Sequence, residues 1–85
     1  MLFYLIICRS LTYAQRTAAI LERVGITARV LRSPKSIDAE GCSHAVRISE
    51  RSLSVALKLL AKEEMMPKRV FVITAEGMYR EVYPS

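Results

Sequence analysis

From Leu2 to Ile7 the chain is continuously apolar, with Phe3, Tyr4 and two isoleucines, the pattern of a strand buried on both faces inside a sheet. Ser10 then offers an N-cap. Leu11, Ala14, Ala18 and Leu21 fall on one helical stripe beside Tyr13, Thr17, Ile20 and Val24, while Arg16, Glu22 and Arg23 face the other way. Gly25 is placed to end that helix in a left-handed conformation. Ile26 to Leu31 alternates apolar with polar or small residues and predicts a second strand, which Ser33-Pro34 stops.

Ser33 to Ser43 has no period, and its Pro34, Gly41 and small polar residues predict a loop that is long for so small a chain, the kind of segment that often carries function. His44 to Ile48 resumes alternation as a third strand. Ser49 is the expected cap of a second helix, whose Leu53, Ala56, Leu57, Leu60 and Ala61 follow the i, i+3, i+4, i+7, i+8 rule. Pro67 follows the helix, Arg69 to Thr74 reads as a fourth strand, and Glu76-Gly77 turns the chain into a short fifth segment, Met78 to Tyr83.

Strand, helix, strand, strand, helix, strand is the order of an α+β, ferredoxin-like βαββαβ two-layer sandwich, here with an extra C-terminal β-hairpin strand. In that plan the first and third strands are adjacent and antiparallel. Cys8, the start of the first helix and the loop carrying Cys42 then share one edge of the sheet.

With 85 residues the chain is a single small α/β domain over residues 1–85, and it hides only roughly 60% of its unfolded surface. An elaborate buried catalytic apparatus is not expected. Apolar types at 52% and charged types at 25% exclude a disordered chain. The opening apolar run is too short to span a bilayer and lacks the charged region of a secretion signal, so a cytoplasmic protein with reduced thiols and no membrane association is expected. The net charge of +5 is unevenly spread: six cations and one acid precede Ser36, whereas the remaining chain carries seven of each sign. No nucleic-acid motif accompanies the excess, and nucleic acid is not an expected partner.

Two cysteines and one histidine cannot supply the four ligands of a structural zinc site, and no cofactor or metal is implied. Cys8, closing an apolar strand, reads as an inert core thiol. Cys42 sits in a polar loop after Gly41, with Arg9, Arg32 and Lys35 available to stabilise a thiolate and His44 two residues on as a proton partner. The plainer readings are a passive surface thiol for Cys42, a hydrogen-bonded histidine at the core edge on the parity of Val46 and Ile48, and solvated charges for Arg32 and Lys35. The shared sheet edge also permits a redox pair between Cys8 and Cys42, provided their Cα atoms approach within about 7 Å.

These residues also resemble a small bacterial family, the selenium/sulfur carrier-like proteins. The likeness rests on Tyr4-Leu5-Ile6-Ile7, a helix with Ala14, then Gly25-Ile26, and Ser33-Pro34-Lys35-Ser36-Ile37. It continues through Gly41-Cys42-Ser43-His44-Ala45-Val46-Arg47-Ile48 and covers nearly the whole chain. The resemblance implies that Cys42 carries a sulfur or selenium atom as a persulfide or perselenide and passes it to an acceptor protein. Where the family often has glycine after this cysteine, the chain has Ser43, and Cys8 is not part of the motif.

The implied protein is a carrier or accessory protein more than an enzyme with turnover of its own. Its partners would be sulfur or selenium donor and acceptor proteins. Arg32, Lys35, Ser43 and Arg9 would surround the chalcogen, and Cys42 with His44 would handle it. A reading of another class is a non-catalytic ferredoxin-like module for binding an anion or protein, or for self-association into a homo-oligomer, with Tyr79, Glu81 and Tyr83 as contacts.

Overall fold

The computed structural model describes residues 2–38 and 43–83 and orders them as β1 (Phe3–Cys8), α1 (Leu11–Glu22), β2 (Arg29–Arg32), β3 (His44–Ser49), α2 (Leu53–Lys62), β4 (Arg69–Ile73) and β5 (Tyr79–Tyr83). The five strands form one antiparallel sheet in the order β2-β3-β1-β4-β5. β1 is the middle strand, with β3 and β4 on its two sides.

Alternation along β1 divides the core between the two faces of the sheet. Ile6 and Cys8, with Val46, Ile48 and Val70 from neighbouring strands, pack under α1 and α2 against Ala14, Ala18, Leu21, Ala56 and Leu60. On the opposite face Leu5, Ile7, Ala45 and Phe71 form a smaller cluster against which Leu31, Ile37 and Ile73 pack. Ile37 belongs to the segment after Pro34, so this connection lies on the face the helices leave open.

Local chemistry sets the helix ends. The Ser10 hydroxyl oxygen accepts from the Tyr13 N–H at 3.2 Å, as the sequence predicts. At the other end Gly25 has φ +86°, its N–H donates to the Glu22 carbonyl at 3.0 Å, and the Ile26 N–H donates to Leu21 at 3.1 Å. These are the paired bonds of a Schellman ending. They also explain why β2 starts at Arg29 and not at Ile26: the backbone of Ile26 still serves the helix, although Ile26 and Ala28 are buried in the core.

Two further expectations are corrected. Leu11 and Val24, assigned to the apolar stripe of α1, are exposed, because the buried line runs through Ala14, Thr17, Ala18, Ile20 and Leu21. Ser49 does not cap α2 directly. A 3₁₀ turn, Glu50–Ser52, intervenes, and the Ser49 hydroxyl lies 3.3 Å from that of Ser52. Along α2 Ala56 and Leu60 are buried, Leu53 and Leu57 half-buried, and Ala61, one residue round from Leu60, exposed.

α2 ends in a second Schellman pair, Glu64 N–H to Ala61 O at 3.2 Å and Met65 N–H to Leu60 O at 2.8 Å, with Glu64 at φ +58°. Here a glutamate occupies the left-handed position that glycine holds after α1. β4 and β5 are joined through Gly77 at φ +82°, and their register breaks between Val70 and Phe71, which places a bulge in β5. Among the described residues no helix is long and apolar enough to cross a membrane.

Candidate functional site

The registers around β1 decide which side chains meet at its C-terminal end. Cys8 stands opposite His44 of β3, His44 stands opposite Arg32 of β2, and Ile7 stands opposite Arg69 of β4. Just beyond the strand ends lies a cleft of about 300 Å³ lined by Cys8, Arg9, Ile37, Ser43, Lys68 and Arg69, among others. Its cations come from two elements that are distant in sequence, the residue after β1 and the start of β4.

Each cation is held differently. The Arg9 guanidinium stacks on the Tyr13 ring at 4.3 Å and donates to the Tyr13 hydroxyl at 3.1 Å. Arg69 stacks on Phe71 at 4.8 Å and makes a two-point contact with Glu81, Nε to Oε2 at 2.9 Å and a terminal nitrogen to Oε1 at 3.1 Å. That contact raises the Arg69 pKa and lowers that of Glu81, in both cases chiefly through the hydrogen bonds. Lys68 is exposed at the rim.

Cys42 lies outside the described residues. The residue after it, Ser43, lines the cleft and is tied on both sides: its N–H donates to Asp38 Oδ2 at 2.9 Å and its hydroxyl donates to that of Ser33 at 2.8 Å. Ser33 in turn donates its N–H to the Ser43 carbonyl at 3.2 Å, so the two ends of the loop are stitched together at its neck. Both donors of Ser43, expected to face a bound chalcogen, are thus engaged within the protein.

His44 opens β3 on the same face as Val46 and Ile48 and is half-buried. Its Nδ1 is buried with no hydrogen-bond partner among the described residues. Arg32 ends β2 and is exposed, and Lys35 is exposed in the turn after Pro34. Of the predicted residues the cleft brings together Arg9 and Ser43. His44, Arg32 and Lys35 do not line it.

Lys68, Arg69 and Asp38 were not among the predicted residues. A signal for the first two existed: once β4 is antiparallel to β1, its first residues must lie at the end where β1 finishes. Asp38 could be found only by knowing that the loop folds back on Ser43. Among the described residues no group of three or more His, Cys, Asp or Glu side chains is placed to hold a metal ion.

Cys8 contributes to the wall of the cleft but behaves as core. It is a free thiol, 5% exposed, and its sulfur lies 3.7 Å from the Thr17 hydroxyl and 3.8 Å from the Ile6 carbonyl. Burial pushes its pKa up, partly offset by the Thr17 contact. A thiol held protonated in this way is a poor nucleophile.

The family model described as "Putative Se/S carrier protein-like" matches residues 3–72. The chain belongs to this family. The match runs from the first residue of β1 into β4 and includes Cys42, Ser43 and the cleft residues Arg9, Lys68 and Arg69, while β5 falls beyond it. No curated protein and no solved structure matches the chain.

The contacts expected of a binding module fare unevenly on geometry. Tyr79 is 38% exposed, Glu81 is occupied by Arg69, and Tyr83 packs against the core under the helices.

Proposed function

We propose that this member of the Se/S carrier-like family carries sulfane sulfur or selenium on Cys42. The observation that carries the reading is the cleft at the C-terminal end of β1, where Arg9, Lys68 and Arg69 outnumber the one acid of the lining, Asp38, beside Ser43, to which Cys42 is covalently joined. A persulfide is more acidic than a thiol and is anionic at neutral pH, so a carrier needs positive charge around its terminal chalcogen more than a deep pocket. Lys68 and Arg9, both free of ion pairs among the described residues, supply that charge, with the Arg9 guanidinium held on Tyr13.

In the transfer, the Cys42 thiolate attacks the terminal sulfur of a donor persulfide. The Cys42 S–S bond forms as the donor's S–S bond breaks, and the donor leaves as a thiolate that takes up a proton. An acceptor thiolate repeats the displacement on the Cys42 persulfide and regenerates the Cys42 thiolate. The sulfane sulfur moves without net oxidation or reduction, and selenium follows the same path. Donor and acceptor are proteins that dock over the cleft. His44, which stands opposite Cys8 at the end of β1 and whose buried Nδ1 has no hydrogen-bond partner among the described residues, is assigned as the proton partner from its place two residues after Cys42.

The scaffold belongs to the same reading: we read the stretch β4-β1-β3-β2, with both helices packed on one face, as a ferredoxin-like sandwich to which β5 is added along β4, a reading supported by the strand order and the position of the helices.

The test is peptide-resolved alkylation of Cys42 and Cys8 across pH, on reduced protein and on protein incubated with a cysteine desulfurase and cysteine. Carriage predicts labelling of Cys42 below the ordinary thiol range and a reducible adduct of one sulfur atom at Cys42 alone. An unmodified Cys42 with ordinary reactivity, or sulfur uptake that survives Cys42→Ser, overturns it.

A further inference from the structure

The opposite end of the sheet holds a second cleft, of about 280 Å³, whose charge neither the fold nor the carrier reading uses. It forms where the start of β1, the α1–β2 connection, β2, the end of β3 and the turn before α2 meet. Arg29, Arg47 and Arg51 line it together with the hydroxyl residues Thr27, Ser49 and Ser52. Among the described residues no acidic side chain lines it. Glu50, the acid between Ser49 and Arg51, is exposed and lies outside the lining.

Two further observations point to a ligand. Arg29 and Arg47 are register partners across β2 and β3, so two like charges stand directly opposite each other on one sheet face, an arrangement that weakens a sheet. Neither of them, nor Arg51, is in an ion pair among the described residues, whose one salt bridge joins Arg69 to Glu81. Arg47 is meanwhile fixed by stacking on Phe3 at 4.7 Å. Three arginines lining one small concave site, one of them held by stacking and two of them opposed across adjacent strands, form a cluster that an anion would neutralise.

We propose that this cleft binds a small molecule through a diphosphate group. Guanidinium forks match phosphate oxygens in pairs, and a diphosphate offers two adjacent phosphoryl groups to side chains on adjacent strands. Its charge of about −3 at neutral pH balances the three arginines, and the hydroxyls of Thr27, Ser49 and Ser52 supply the remaining donors. The site is separate from the thiol cleft: β1 runs from Phe3 here to Cys8 there, a rise of about 17 Å. The proposal stands independently of Cys42.

Calorimetric titration of the full chain with inorganic diphosphate, ADP, orthophosphate and sulfate tests it. One-to-one binding of diphosphate is expected at least about tenfold tighter than orthophosphate or sulfate, weakening with salt, and Arg29→Gln, Arg47→Gln and Arg51→Gln should each lower the affinity about tenfold. Tighter binding of ADP than of inorganic diphosphate would assign the ligand to nucleotides, and equal binding would assign it to the free diphosphate group. The exposed Arg80 on β5 serves as control, and Arg80→Gln should leave the affinity unchanged. Without ligand, Arg29→Gln should melt at or above the wild-type temperature, because it removes the cross-strand repulsion. The proposal is overturned by the absence of saturable diphosphate binding, by affinities that ignore the three variants, or by sulfate binding as tightly as diphosphate.

Discussion

Carriage on one thiol demands that the other stay silent, and the burial of Cys8 makes that quantitative. Although Cys8 borders the cleft, it is 5% exposed and lies in the core cluster under α1 and α2, so full access to its sulfur requires that the strand between β3 and β4 opens or the helices lift from the sheet. For 85 residues, an overall stability at the low end of the usual range is about 4 kcal/mol, which leaves an open fraction of about one in a thousand. Native Cys8 should therefore react with iodoacetamide about a thousandfold more slowly than the same cysteine in the urea-unfolded chain, as read by peptide mass spectrometry over time. The raised pKa slows any reaction within the folded state further.

The same shift has a thermodynamic face with a definite sign. The folded thiol holds its proton to a higher pH than the unfolded thiol, so the folded state binds more protons above the ordinary thiol pKa of about 8.5. Stability is then unaffected by Cys8 below that pH and falls as pH rises beyond it. Urea titrations of the wild type and of Cys8→Ala should differ by a term that is constant at neutral pH and shrinks in alkali. A native labelling rate for Cys8 within tenfold of the unfolded rate, or parallel stability curves for the two proteins through the alkaline range, would refute the reasoning.

Two other predictions concern the frame that positions the clefts. Leu60→Ala removes a fully buried side chain from the contact between α2 and the sheet and should cost about 2–5 kcal/mol by urea denaturation, whereas a loss below about 1 kcal/mol would mean that the site collapses around the gap. Glu64→Gly relieves an exposed left-handed residue that closes α2, together with Met65, through backbone N–H groups, and should raise stability by up to about 1 kcal/mol, seen as a higher melting temperature.

The elements of the fold were largely legible because their signals are local. Ser10 and Gly25 bracket α1 through side-chain and backbone chemistry that needs no distant partner. The stretch from Ile26 to Ala28 misled for a physical reason: Ile26 and Ala28 are buried with Thr27 exposed between them, and that alternation alone does not distinguish a strand from a connection packed beneath a helix. The exposure of Leu11 and Val24 has a similar origin, since an apolar stripe wider than its partner surface leaves its margins in solvent.

The cleft beside Ser43 was legible by half. Arg9 and Ser43 follow from the strand and loop boundaries, but Lys68 and Arg69 join them only through the antiparallel register of β1 and β4. Arg32 and Lys35 looked equally apt on a linear map, and the pairing of β2 with β3 instead leaves Arg32 opposite His44. The arginine cleft at the other end shows the same rule, because Arg29, Arg47 and Arg51 have no pattern in common along the chain.

The outer strands carry a consequence of their own for how molecules of this protein meet. β2 is four residues long with an arginine at each end, and β5, lying beyond the stretch shared with the family model, carries Arg80 and Glu81 and is broken by the bulge near Val82. A second sheet seeking to continue the hydrogen-bond ladder would find one margin too brief and charged, and the other kinked out of line. The sheet is thus closed to growth at both margins, and the surface it leaves for contact lies at its ends, where the two clefts open.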